Sequence, residues 1–190
     1  MLATLCKLIF KLTGWKAFDY SERLTRYHPP ITKFLMIIAP HTSNWDFIVA
    51  LIARYILGYG FNTKFLGKHT LFKPPYGWFF YALGGTPVDR SKKNNLTEHV
   101  AEKFAAATGE FGVAIAPEGT RKYTSDWKRG FYYIAVKANV PILPVSIDYK
   151  NKEICVHPPL FPTGDIEADI EYLKKYYRKD MALYPENYAA

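Results

Sequence analysis

FLMIIAPHTSNWDFIVALIARYILG, residues 34–58, opens on a short continuous apolar run and breaks at Ala39-Pro40-His41. It then continues as a helix-length segment from 46 to 57 that stops at Gly58. An apolar run of this length bounded by turn residues reads as a buried strand, and the periodic segment after it as a helix. Outward from this unit the same alternation repeats. Residues 63–66 and 86–88 are short strand candidates, 96–107 a helix, 111–116 a strand and 131–138 a helix. Residues 142–149 and 153–156 are the last strands, and 166–179 is a helix with acidic residues in its first turn and basic ones in its last. Strands alternating with helices predict an α/β fold, a single domain with a largely parallel or mixed sheet flanked by helices.

Composition agrees with one folded domain. The chain has 190 residues, 49% hydrophobic and 22% charged, which excludes disorder, collagen-like repeats and an all-helical coiled coil. No apolar stretch approaches the roughly 20 residues that a spanning helix requires. Cys6 and Cys155 cannot make a disulfide framework and no zinc-ligand spacing occurs, so reduced thiols in a cytosolic setting are expected. Charge is uneven: residues 1–93 hold 13 Lys/Arg against 4 Asp/Glu, and residues 94–190 hold 12 against 13. A basic first half suits an anionic partner, whether nucleic acid, anionic lipid or a phosphate-bearing substrate.

Two segments of that first half mix apolar and basic residues. Residues 2–16 place Leu2, Leu5, Ile9 and Leu12 at helical spacing, with Lys7 and Lys11 on another side and Trp15 near the end. This predicts a basic amphipathic helix within residues 1–20, ahead of a domain body at 21–190. Such a helix either lies in a membrane interface or closes an edge of the core. Interrupting lysines and the lack of an A-x-A-like site argue against a cleaved signal peptide. Between 59 and 81, nine of 23 residues are aromatic, interleaved with Lys64, Lys68 and Lys73. That mixture suits a membrane interface, stacked bases, or large rings packed into the core, and Pro74-Pro75 argues against one continuous helix.

Chemistry concentrates at three places, each just past a short strand. In the first, His41 and Asp46 flank Thr42-Ser43-Asn44-Trp45. On a regular helix a five-residue step would turn the two side chains about 140° apart, so pairing them requires a turn at 40–41 and helix onset near 42–44. Asp46 then orients one imidazole nitrogen and the other faces a pocket as a general base. The second is Ala116-Pro117-Glu118-Gly119-Thr120-Arg121, where Gly119 lets the backbone approach a ligand, Arg121 offers a fork for phosphate or carboxylate, and Glu118 fixes that arginine. The third is Gly85-Thr86-Pro87-Val88-Asp89-Arg90, with Arg90 just beyond its strand. Ligand sites of open α/β sheets lie at the carboxyl ends of strands, so the three converge on one crevice. Together they describe transfer to a hydroxyl on a phosphate-bearing substrate.

At these residues the sequence resembles the lysophospholipid acyltransferases, the 1-acyl-glycerol-3-phosphate acyltransferase type. His41-x4-Asp46 matches the family's first block, Gly85-x4-Arg90 resembles its second, Glu118-Gly119-Thr120-Arg121 matches its third, and residues 140–145 resemble a fourth. The resemblance covers about residues 33–148. It implies a glycerophosphate acyltransferase-like fold and an acyltransferase domain over 21–190. The implied reaction moves a fatty acyl group from acyl-CoA or acyl-acyl carrier protein to a lysolipid hydroxyl, with no metal or other cofactor and no covalent acyl-enzyme. His41 and Asp46 would be catalytic. Arg90 and Arg121 would bind the acceptor's phosphate, with Glu118, Gly119 and Thr120 shaping that site. An anionic membrane surface is the expected partner and the cytoplasmic face of the membrane the expected location, without nucleic acid. Ala116, where the family often has an aromatic residue, and Pro-Val-Asp before Arg90 leave an amino-acid-containing or glycosylated lysolipid open as the acceptor. A non-catalytic basic module that binds membrane or nucleic acid would explain the charge but not the motifs at strand ends.

Overall fold

Strand β2 (Lys33–Ala39) is the spine of a seven-stranded sheet. It lies between β5 (Phe111–Ile115) and β6 (Ile142–Asp148), parallel to both, with Leu35 beside Val113 and Ile142. Strand β3 (Thr63–Lys68) pairs with β5, and β4 (Gly85–Val88) with β3, again parallel. On the other side β7 (Glu153–Val156) folds back antiparallel on β6, and β1 (Lys16–Asp19) lies parallel to β7. The order is β1-β7-β6-β2-β5-β3-β4. This computed structural model describes residues 2–23, 25–60, 62–88 and 96–189.

The unbroken apolar run of β2 has its reason in two cores. Leu35, Ile37 and Ala39 face one side, against α4 (Leu96–Ala106), α5 (Gly130–Ala138) and α6 (Ile166–Lys174). Phe34 and Met36 face the other, with α2 (Trp45–Ile56) and Phe10 of α1 (Leu2–Thr13). A strand covered on both faces has no solvent side on which to place polar residues.

The first and last helices are shorter than the sequence predicts. The first ends at Thr13, short of residue 16, because Gly14 takes φ +78° and the Trp15 N–H donates to the Phe10 carbonyl at 2.9 Å. That six-residue closure terminates the helix and releases residues 16–19 into an edge strand. Nothing in Lys16-Ala17-Phe18-Asp19 signals a strand, since its partner β7 lies far along the chain. The last helix stops at Lys174 instead of 179, where the chain turns so that the buried Tyr177 donates its hydroxyl to the Ile37 carbonyl, 3.2 Å away. Around Pro74-Pro75, as the sequence predicts, the chain forms a 3₁₀ turn (His69–Phe72) and then a short helix, α3 (Gly77–Ala82).

Candidate active site

The carboxyl ends of β2, β5 and β6 meet at one edge of the sheet, and three chain segments close on each other there. Beyond β2 the chain turns through residues 40–44 before α2 begins at Trp45, so His41 sits in a loop and the 140° separation of a regular helix does not apply. Asp46, 1% exposed in the first turn of α2, points back into that loop. Its Oδ2 accepts from the Thr42 and Ser43 N–H groups at 2.7 and 2.8 Å and lies 3.2 Å from His41 Nδ1. Asn44 makes no side-chain cap, whereas Ser43 Oγ accepts from the Trp45 N–H at 3.1 Å. The carboxylate therefore ties down the loop that precedes its own helix, near the helix N-terminus where negative charge is favoured, and is also the partner of the imidazole. With Nδ1 turned to Asp46, Nε2 is the ring nitrogen left for a substrate, and the His41 side chain is 26% exposed.

Beyond β5, Gly119 takes φ +67°, a left-handed conformation natural to glycine, and its N–H closes the turn onto the Ala116 carbonyl at 3.1 Å. This turn drives Glu118 inward until it is 4% exposed. Glu118 Oε1 accepts from the His41 backbone N–H at 2.9 Å, which joins the loop after β5 to the loop after β2. Its Oε2 is buried with no hydrogen-bond partner among the described residues. Burial pushes the Glu118 carboxyl up to about 7, against smaller opposing effects from backbone N–H groups and His41. The expectation that Glu118 fixes Arg121 is thus replaced: Glu118 holds the His41 backbone, and the Arg121 side chain stands exposed with no ion pair among the described residues. A buried carboxylate in the turn finds the nearest inward-facing donor, whereas the side chain three residues on points to solvent. Thr120 is half-buried and its Oγ1 accepts from the Lys122 N–H at 3.2 Å. Arg90 lies outside the described residues.

Sequence reasoning missed the third segment. Tyr149, directly after β6, donates its hydroxyl to Asp46 Oδ1 at 2.8 Å, and burial next to that carboxylate raises the phenol far above its ordinary range. Tyr184 reaches the same loop, its N–H donating to Thr42 Oγ1 at 3.3 Å. Neither carries a motif, and each is more than a hundred residues from its partner.

Other titratable groups belong to the packing. His157 Nε2 lies 2.8 Å from Ser146 Oγ, its ring stacks on Tyr176, and burial lowers it to about 4. Burial pushes the Cys155 thiol up to about 11, and Cys6 is buried in α1. Among the described residues no group of three or more His, Cys, Asp or Glu side chains gathers as metal ligands would. Under α2, starting at Phe47, an apolar cavity of about 70 Å³ is lined by residues including Met36, Ile38, Leu57, Phe65 and Val145.

Comparison with known proteins places the chain in a family and a fold. A protein-family model described as Acyltransferase matches residues 21–148. An uncharacterized acyltransferase of Schizosaccharomyces pombe is 28% identical over 160 residues, 80% of this chain and 53% of that protein. Human 1-acyl-sn-glycerol-3-phosphate acyltransferase beta is 28% identical over 107 residues, 54% of this chain and 38% of that protein. The chain thus spans about half or less of the length of these curated relatives. The crystal structure of the 1-acyl-sn-glycerophosphate (LPA) acyltransferase PlsC from Thermotoga maritima superposes with a TM-score of 0.61 at 23% identity. It covers 92% of this chain and 76% of that one, a likeness of fold.

Proposed function

Since the chain belongs to the acyltransferase family, we propose that it moves a fatty acyl group from acyl-CoA or acyl-acyl carrier protein to the hydroxyl of a lysophospholipid such as 1-acyl-glycerol-3-phosphate. The observation that carries this reading is the Glu118–His41–Asp46 linkage, which joins two motifs 77 residues apart in one site. His41 Nε2 takes the proton of the acceptor hydroxyl as that oxygen attacks the thioester carbonyl. Asp46 holds the tautomer with the proton on Nδ1 and stabilises the imidazolium. Collapse of the tetrahedral intermediate expels the thiolate, which receives the proton back from the imidazolium, leaving an ester and a free thiol. Arg121, exposed and unpaired by carboxylates among the described residues, is suited to an acceptor phosphate, and Arg90 is assigned the same task from the sequence. The apolar cavity beginning one residue past Asp46 suits the first part of an acyl chain.

Among the described residues no helix is long and apolar enough to cross a membrane. We place the protein at the cytoplasmic face of a membrane, from the family resemblance; the contact itself is supported by the two sides of α1. Cys6 and Phe10 are buried, so this helix does close an edge of the core. Leu5, Leu8 and Leu12 on its other side are 54%, 51% and 77% exposed, an apolar ridge that only a further surface can cover. Lys7, Lys11 and Lys16 line an open groove beside it. In the aromatic segment Tyr59 and Phe72 are buried, whereas Tyr76 and Trp78 project outward, 72% and 71% exposed. Rings and lysines of this kind sit at the headgroup level of a bilayer.

The test is an acyl-transfer assay over a lysolipid panel with both CoA and carrier-protein donors. His41→Ala is expected to lower kcat by about 10²–10⁴ with an unchanged melting temperature. Transfer at the wild-type rate by that variant would remove the reading.

A further inference from the structure

Of the groups that meet the Asp46 carboxylate, the one its own loop does not supply is the Tyr149 hydroxyl. Oδ2 already carries two backbone N–H groups and the imidazole, while Oδ1 is bound by the Tyr149 hydroxyl. A carboxylate at 1% exposure has little access to water to complete its shell, so loss of that donor leaves a charged oxygen unsatisfied and only the groups on Oδ2 to set the carboxylate's angle. Tyr149 is itself fixed from two sides. Its backbone N–H donates to the Met181 carbonyl at 2.8 Å, and its ring meets Trp15 edge-on with centroids 5.2 Å apart. Trp15 in turn packs on Phe10 of α1, centroids 6.0 Å apart. Tyr149 is also the first residue past the segment that the family model matches.

We propose that Tyr149 is a positioning residue for the His41–Asp46 pair, holding the Asp46 carboxylate at the angle that keeps Oδ2 on His41 Nδ1, and that Trp15 holds Tyr149 in place for it. The inference rests on the reading of His41 as the base. Tyr149 acts through Asp46, so its removal lowers turnover and leaves acceptor binding alone.

Tyr149→Phe deletes the hydroxyl and retains the ring against Trp15. With lysophosphatidate in detergent micelles as acceptor and an acyl-CoA as donor, kcat is expected to fall about tenfold while the acceptor KM changes by less than about twofold. In an Asp46→Asn background the same change should alter kcat by less than about twofold, because residues acting through one network are not additive. The long-range ¹H–¹⁵N spectrum of the His41 imidazole should shift from one fixed tautomer towards a mixture. An unchanged kcat, a loss carried by KM, a full tenfold loss in the Asp46→Asn background, or an unmoved His41 spectrum would each overturn the proposal. If Tyr149→Phe does not fold, Trp15→Leu decides. It frees the tyrosine ring with both hydrogen-bonding groups intact and is expected to lower kcat about threefold at constant KM, and no change in kcat overturns the proposal. If the wild-type protein transfers no acyl group to any acceptor, the acyl-transfer reading fails, and the His41 spectrum still decides on Tyr149.

Discussion

Replacing Glu118 with glutamine separates the electrostatic burden of this carboxylate from its hydrogen bond. The glutamine side chain is nearly isosteric, and its carbonyl oxygen can still accept from the His41 N–H that Glu118 Oε1 now accepts at 2.9 Å. What disappears is ionisation in a site 4% exposed. The carboxyl has an ordinary value of 4.5 and titrates at about 7 in the fold, chiefly from burial. Its folded form thus binds the proton more tightly than the unfolded chain does. Stability from this group is fully present below 4.5 and is lost as pH rises through about 7. At about 1.4 kcal/mol for each pH unit, the loss amounts to about 3 kcal/mol. Urea unfolding of both proteins from about pH 4.5 to about pH 8 measures this directly, since other titrating groups such as His157 cancel in the difference. The stability of Glu118→Gln relative to wild type should rise across that window by about 3 kcal/mol and level off above it. A difference that stays flat, or falls, would refute the assignment of a high-titrating carboxyl at the centre of the site.

Three further outcomes are expected. Arg121→Lys keeps the charge but loses the fork, so the acceptor KM should rise about tenfold with kcat little changed, read by initial rates against acceptor concentration. Changing Leu5, Leu8 and Leu12 together to serine removes an exposed ridge at about 1.5–3 kcal/mol for each leucine buried in lipid. Sedimentation with anionic liposomes should weaken at least a hundredfold, about 2.7 kcal/mol, while the melting temperature holds. Gly112→Ala drives a methyl group into the Phe34 ring between β2 and β5 and should lower unfolding stability by about 1–3 kcal/mol in urea titration.

The sequence by itself determined the sheet's interior and the identity of the site's segments. Strands buried on both faces must be almost wholly apolar, so residues 34–39, 111–116 and 142–149 announce themselves, and the observed strands differ from them by a residue at one end. His41, Asp46 and Glu118 stood out because turn residues follow those strands. Edge elements depended on contacts the local sequence does not encode: β1 exists because β7 offers a partner, and α1 ends early because of Gly14. Amphipathicity showed that α1 has an apolar side, but only the fold decided that Cys6 and Phe10 go inward and the leucine ridge outward. The same holds inside the site. A sequence motif names residues and spacing, whereas a buried carboxylate takes whatever donors the folded chain brings within reach. For Glu118 that donor is the His41 backbone, and for Asp46 it is a tyrosine 103 residues away, both set by the convergence of strand ends in space.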